Sequence, residues 1–300
     1  MQPKASPHHP FRAAVQLGLA GLFVVGALNY QAILDQYALV TFRPGTGVAA
    51  IEARLALTPK ARAVFYRAQP QLDAKAEFNQ DCQTQPHELE LGCYFRSRIY
   101  ILKIDNQSLA SEMDVVTAHE LLHAVWSGLG ARERQRLGDE LERVYKQVAD
   151  DELKQRMAGY ATSEPGEETN ELHSILATEY PNLSPMLEAH YAKYFTQRSQ
   201  IVAAHAAYQG VFNSRRVELE SELAKIRALK GQLGVLNRQL ENYKAGGQIE
   251  RYNSLVPQQN ALVDDINRRI ETYRQGVDEY NALSKSLDSS EITDTETTAQ

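Results

Sequence analysis

Two apolar stripes in the C-terminal third commit more of this chain to one shape than any other feature. Leu219, Leu223, Ile226, Leu229, Leu233, Leu236, Leu240 and Tyr243 recur every three or four residues, which lines one face of a helix. Tyr252, Leu255, Leu262, Ile266, Ile270, Tyr273, Val277 and Tyr280 repeat the pattern beyond Ala245-Gly246-Gly247. Two stripes about a glycine turn predict an antiparallel helical hairpin, with arms of about 35 residues reaching roughly 50 Å. Pro257 falls in the first turns of the second arm and is expected to kink it. An intermolecular coiled coil would use the same stripes, and in either arrangement the outer faces are available to a protein partner. Arg215, Arg216, Glu218, Glu220 and Glu222 crowd the start of the first arm as solvated charges.

The remaining sequence has room for one sizeable core, since the chain has 300 residues and 43% hydrophobic content. A net charge of -6 argues against nucleic-acid binding, which needs a basic face. Residues Ala13 to Leu28 are apolar apart from Gln16, and Phe11 to Tyr30 together approach the roughly 20 residues that a bilayer requires. Lys4 and Arg12 would hold the N-terminus in the cytoplasm and send the rest outward. An uncleaved signal anchor is expected, because amphipathic sequence continues through Ile33, Leu34 and Leu39. The alternative is a signal peptide cut near Val25-Gly26-Ala27. Both place the chain outside the cytosol, in a bacterial periplasm or at a cell surface. There Cys82 and Cys93 are expected to form a disulfide rather than two free thiols.

Pro44 to Gly47 reads as a turn, followed by a helix from about Val48 to Leu57. Thr58-Pro59 supplies a cap and a first-turn proline for another helix through Arg67, which Gln69-Pro70 stops. Asn79 to Gly92 is turn-rich. A tight Arg96-Ser97-Arg98 then leads into a β-branched and aromatic strand, Ile99 to Ile104, expected to line a cleft and offer its edge to a peptide. Asn106-Gln107-Ser108 matches a glycosylation sequon.

No Gly or Pro interrupts Ser111 to Ser127, and Val115, Ala118, Leu122 and Val125 form an apolar stripe. This helix carries His119-Glu120-x-x-His123, whose histidines four apart can aim at one zinc ion while Glu120 holds its water. That spacing suits metal-assisted peptide hydrolysis, with Glu120 as the general base. Ala131 to Ala158 is charged and helical, and Tyr160 to Thr169 reads as a loop. A second helix, Asn170 to Glu179, bears two carboxylates and a histidine among apolar residues. Ser184-Pro185 starts a further helix, expected to run through His190, Tyr191 and Phe195 towards Tyr208.

His119-Glu120-x-x-His123 followed by Asn170-Glu171-x-x-Ser174 resembles the gluzincin metallopeptidases, the thermolysin-like clan. The resemblance implies Glu171 as third zinc ligand. The aspartate that completes the clan's pattern falls on Ile175, so Glu179 or Asp114 would have to supply that carboxylate. His173 is the other candidate third ligand. Tyr160, Tyr180, His173 and His190 are the candidates for stabilising an oxyanion. The expected fold is α+β and mostly helical. A zincin-like domain with a small sheet spans 48–200, preceded by a cytoplasmic stretch 1–11, an anchor 12–30 and a linker 31–47. A hairpin follows at 201–287 and an acidic, disordered tail at 288–300. The expected function is a membrane-anchored zinc endopeptidase acting on proteins or peptides. The alternative is an envelope scaffold that works through its hairpin and carries a vestigial metal site.

Overall fold

The computed structural model describes residues 30–82 and 91–287. Its elements run α1 (Tyr30–Thr41), α2 (Thr46–Leu55), α3 (Pro59–Arg67), β1 (Gln71–Asp73), α4 (Lys75–Cys82), β2 (Gly92–Phe95) and β3 (Arg98–Leu102). There follow α5 (Glu112–Ser127), α6 (Ala131–Val148), α7 (Asp151–Ser163), α8 (Glu168–Glu179), α9 (Pro185–Tyr191), α10 (Arg198–Ala245) and α11 (Ile249–Leu287). The fold is mostly helical with one small sheet. The expected anchor lies outside the described residues except for Tyr30, with which α1 begins, and so does the acidic tail. Among the described residues no helix is long and apolar enough to cross a membrane.

Local chemistry sets the helix starts. The Thr58 hydroxyl accepts the Ala61 N–H at 3.1 Å, and Pro59 occupies the first turn of α3, where no amide donor is missed. Ser184 caps α9 through the Leu187 N–H at 3.3 Å, again ahead of a proline. Asp150 caps α7 through the Leu153 N–H at 2.8 Å. That cap divides the long helix expected over 131–158 into α6 and α7. It also carries α7 through Tyr160, so the expected loop at 160–169 shrinks to the turn around Pro165-Gly166.

The described residues form two units. The first comprises 30–72, 92–101 and 116–200. Its strands order as β1-β3-β2, which puts β3 in the centre with a neighbour on each side. The expectation that this strand offers a free edge is therefore corrected: the edge strand of the β2–β3 hairpin is β2. Cys93 pairs with Tyr100 and Tyr94 with Ile99, and Arg96 and Ser97 turn the chain with φ of 49° and 64°. Ile99, Tyr100 and Ile101 are buried, but the strand stops at Leu102, short of the expected Ile104.

The second unit comprises 73–82, 91, 102–115 and 201–287. α10 and α11 run antiparallel about a turn at Gly246-Gly247, as the stripes predict. Partners step in opposite directions: Phe212 stacks on Tyr280, Arg215 pairs with Glu279, Glu222 with Arg269, and Asn237 accepts from Gln259. Pro257 lies inside α11 without ending it. Near the far end, Ile104, Leu109 and Leu287 pack with Met113, Tyr208 and Phe212. α4 carries helix through Cys82, into the stretch from Asn79 that reads as turn-rich, because Phe78 and Cys82, four apart, are both buried. Cys82 and Cys93 are joined in a disulfide.

Candidate metal centre

α5 supplies the centre because it is buried almost all round. Ala118, Leu121, Leu122, Ala124 and Val125 are shielded on several faces, not on one stripe, which fixes the rotation of the helix and aims His119 and His123 together. Their rings meet edge to face with centroids 4.7 Å apart. Among the described residues, ligand atoms of His119, Glu120 and His123 lie within 4.8 Å of one another, a group that could hold a metal ion.

α8 completes the arrangement. Glu171 places Oε2 3.4 Å from His119 Nε2 and Oε1 3.3 Å from His123 Nε2. Bonds of about 2.0–2.2 Å in a tetrahedral site keep ligand atoms roughly 3.4 Å apart, and each of these two carboxylate–imidazole distances matches that spacing. The other nitrogen of His123 is also occupied. Nδ1 lies 3.0 Å from Asn170 Oδ1, an oxygen that only accepts, and 3.5 Å from Ser174 Oγ. Nδ1 therefore carries the proton and Nε2 keeps its lone pair for a metal. Asn170 is itself held by Glu167 at 3.0 Å.

Charge and burial compete within the group. Burial is the largest influence on His119 and disfavours its charged form, yet the Glu171 hydrogen bond and the charges of Glu171, Glu120 and Glu179 leave its pKa raised. Burial prevails at His123, whose pKa is lowered. Glu171 is pushed up by burial and pulled down further by His119, His123 and a hydrogen bond from Tyr160, ending below the ordinary carboxylate value. Burial, with the Glu171 charge next, raises the Tyr160 phenol, so the hydroxyl remains protonated as a donor.

Two groups missed in the sequence border this centre. Arg156, one turn before Tyr160 on α7, pairs with Glu179 at 2.6 Å. This is where one candidate for the missing carboxylate is engaged, although its charge still reaches His119. Gly92 opens the edge strand β2, and a Cβ there would lie 2.3 Å from Val116 Cγ1 and 3.2 Å from Glu120 Oε1. Only glycine lets the strand touch the helix at Glu120. A glycine in a turn-rich stretch carried no such signal.

The other candidates lie elsewhere. His173 is fully buried, and its Nε2 sits 2.9 Å from His190 Nε2, with Trp126 and Tyr191 against the ring. Nε2 of both residues is engaged in that pair. Tyr180 lies beyond α8 near Asp150 and Glu179, and burial with those charges lifts its phenol to about 12. Asp114 is buried in the first turn of α5, and Ile175, at the position of the clan's aspartate, is buried too. Arg198 clamps the last turn of α8. It donates to the Ala177 and Tyr180 carbonyls at 2.9 and 2.8 Å and forks onto Glu188. No known protein family, no curated protein and no solved structure matches the chain.

Proposed function

We propose that this chain is a zinc-dependent peptidase of gluzincin type. The observation that carries the reading is the Glu171 carboxylate spanning both Nε2 atoms at 3.3 and 3.4 Å. His119, His123 and Glu171 would hold the ion, a donor set that matches the two-histidine, one-glutamate zinc sites of peptidases. Zinc in such a site supplies an acidified water and polarises a carbonyl.

The chain's own residues do the rest. Glu120 takes a proton from the attacking water and returns it to the amide nitrogen as the C–N bond breaks, leaving a carboxylate and an amine. The Tyr160 hydroxyl, which hydrogen-bonds Glu171, would donate to the developing oxyanion. Substrate backbone would pair along β2, whose first residue touches Glu120. The apolar run at 13–28 and the disulfide support an anchored protein that works outside the cytosol.

The test is metal content together with hydrolysis of a quenched peptide library by the full-length protein. His119→Ala, His123→Ala and Glu171→Ala are expected to lose zinc. Asn170→Ala is expected to weaken zinc about 10–100-fold. Glu120→Gln should keep the metal and lose about 10²–10⁴-fold in turnover. Undiminished hydrolysis in Glu120→Gln would sink the mechanism. Zinc retained in Glu171→Ala would remove the third ligand.

A further inference from the structure

α1 presents the largest group of exposed apolar side chains on any one helix among the described residues. Tyr30, Ile33, Tyr37 and Val40 are 60%, 54%, 67% and 71% exposed. At about 100° per residue they fall within roughly 80° of one another, a single stripe about 15 Å long. The one charged residue of α1, Asp35, points the opposite way and pairs with Arg67 of α3 at 2.9 Å. The stripe is therefore free of charge, while the inner face is fixed to protein through Asp35, buried Ala38 and the neighbouring Phe42–Tyr66 ring contact. An exposed apolar face on a helix already held to its own unit calls for an occupant.

We propose that this face of α1 is a bilayer-contact surface that seats the first unit in the lipid headgroup region. The inference rests on the anchored reading above, because only Asn29 separates the apolar run Ala13 to Leu28 from the start of α1. A bilayer that takes up that run leaves α1 no length with which to leave the interface. The stripe's chemistry fits that depth. Tyrosine favours the headgroup level, and an interfacial helix buries its apolar face about 5–10 Å into the boundary. A second copy of the chain is a poorer occupant, since four side chains fall short of the about 20–30 residues per side of a stable interface. The Gln31 side chain reaches Gly128 at the end of α5, so a seated α1 brings that end of the metal helix to the membrane surface.

The experiment uses full-length protein carrying Tyr37→Trp in phosphatidylcholine vesicles, with and without bromine on the acyl chains. Wild-type protein, whose single Trp126 is buried, sets the baseline. The expected result is a roughly twofold or greater loss of the added emission with brominated lipid, and little quenching by aqueous iodide. Each sample is also washed with alkaline carbonate, which reports the anchor separately. Quenching in protein that resists the wash supports both the surface and the anchor. Quenching in protein that the wash removes supports the surface and sinks the anchor. Wash-resistant protein without quenching overturns the surface and leaves the anchor standing, and blue-shifted emission in that case would identify protein as the cover. No association with vesicles overturns both.

Discussion

α8 and α10 bury themselves in opposite ways. In α8, Glu171 through Thr178 are all buried, polar and apolar alike. In the 48 residues of α10 only Ile201, Ile226, Leu236 and Leu240 are buried. The short helix depends on polar groups that each have a specific partner out of reach of water, where losing a partner is costly. The long one depends on a half-buried stripe and on exposed ion pairs that water can replace. Substitutions of the same kind should therefore be severe around α8 and mild in the hairpin.

The widest gap is expected between two arginines. Arg198→Ala orphans the Ala177 and Tyr180 carbonyls and strands Glu188, at a cost of about 2–4 kcal/mol in urea unfolding. It should also loosen zinc, because the last turn of α8 loses its clamp. Arg269→Ala breaks pairs with Glu222 and Asp265 on the hairpin surface and should leave the unfolding midpoint where it was. Equal losses would show that the hairpin is as intolerant as the first unit.

Glycines give the next contrast. Gly92→Ala drives a methyl to 2.3 Å from Val116 and 3.0 Å from Glu120 Cγ, so β2 must lift away from α5. About 1–3 kcal/mol of stability and most peptide hydrolysis should go with it. Gly276→Ala in α11 meets Leu219 Cδ2 at 2.9 Å, but that atom is the end of a flexible side chain that can swing aside. Its thermal midpoint should move less than that of Gly92→Ala, and hydrolysis should not change. Normal turnover in Gly92→Ala would break the assignment of β2 to the substrate side.

The buried imidazoles make the first unit sensitive to acid. Burial, followed by the Lys193 charge, lowers the His190 pKa from 6.5 to about 4. Between those values the unfolded chain binds a proton that the folded one refuses, so stability falls as pH drops from about 6.5 towards 4. His190→Phe should flatten that slope by up to about 1.4 kcal/mol per pH unit. An unchanged slope in urea titrations across the window would mean that His190 does not contribute to it.

How much of this was legible in the sequence divides along the same line. The hairpin stripes, its glycine turn and the Thr58-Pro59 and Ser184-Pro185 caps are local signals, and local physics answers them. The approach of His119 and His123 was legible because helical spacing turns sequence into geometry, whereas Glu171 was reached only through the resemblance to the gluzincins. The failures lie where distant chain decides. The helix from Pro185 was expected to continue, yet it ends at Tyr191. Beyond it, the Lys193 and Tyr194 carbonyls accept from the Thr58 hydroxyl and amide at 2.7 and 2.9 Å, and Phe195 bridges to Leu57. No periodicity in residues 185–208 encodes a partner at residue 58. The same is true of Arg156 meeting Glu179 and of Gly92 meeting Glu120.

The smallest effect should come from Gly231, which lies inside α10 with nothing within 4 Å of where its Cβ would stand. In a helix interior glycine costs about 0.5–1 kcal/mol relative to alanine, because the unfolded chain loses more freedom on becoming helical. Gly231→Ala meets no neighbour, so the gain should appear undiminished. It should also stay local, since the arm is held by few buried contacts and opens in part without the rest. Amide exchange in the full-length protein is the fitting measurement. Protection near residue 231 should rise about 2–5-fold, the equivalent of that energy, while α8 amides stay as they were. If α8 protection rose by the same factor, the hairpin and the first unit would open together, and the contrast between a tolerant arm and an intolerant centre would describe burial alone.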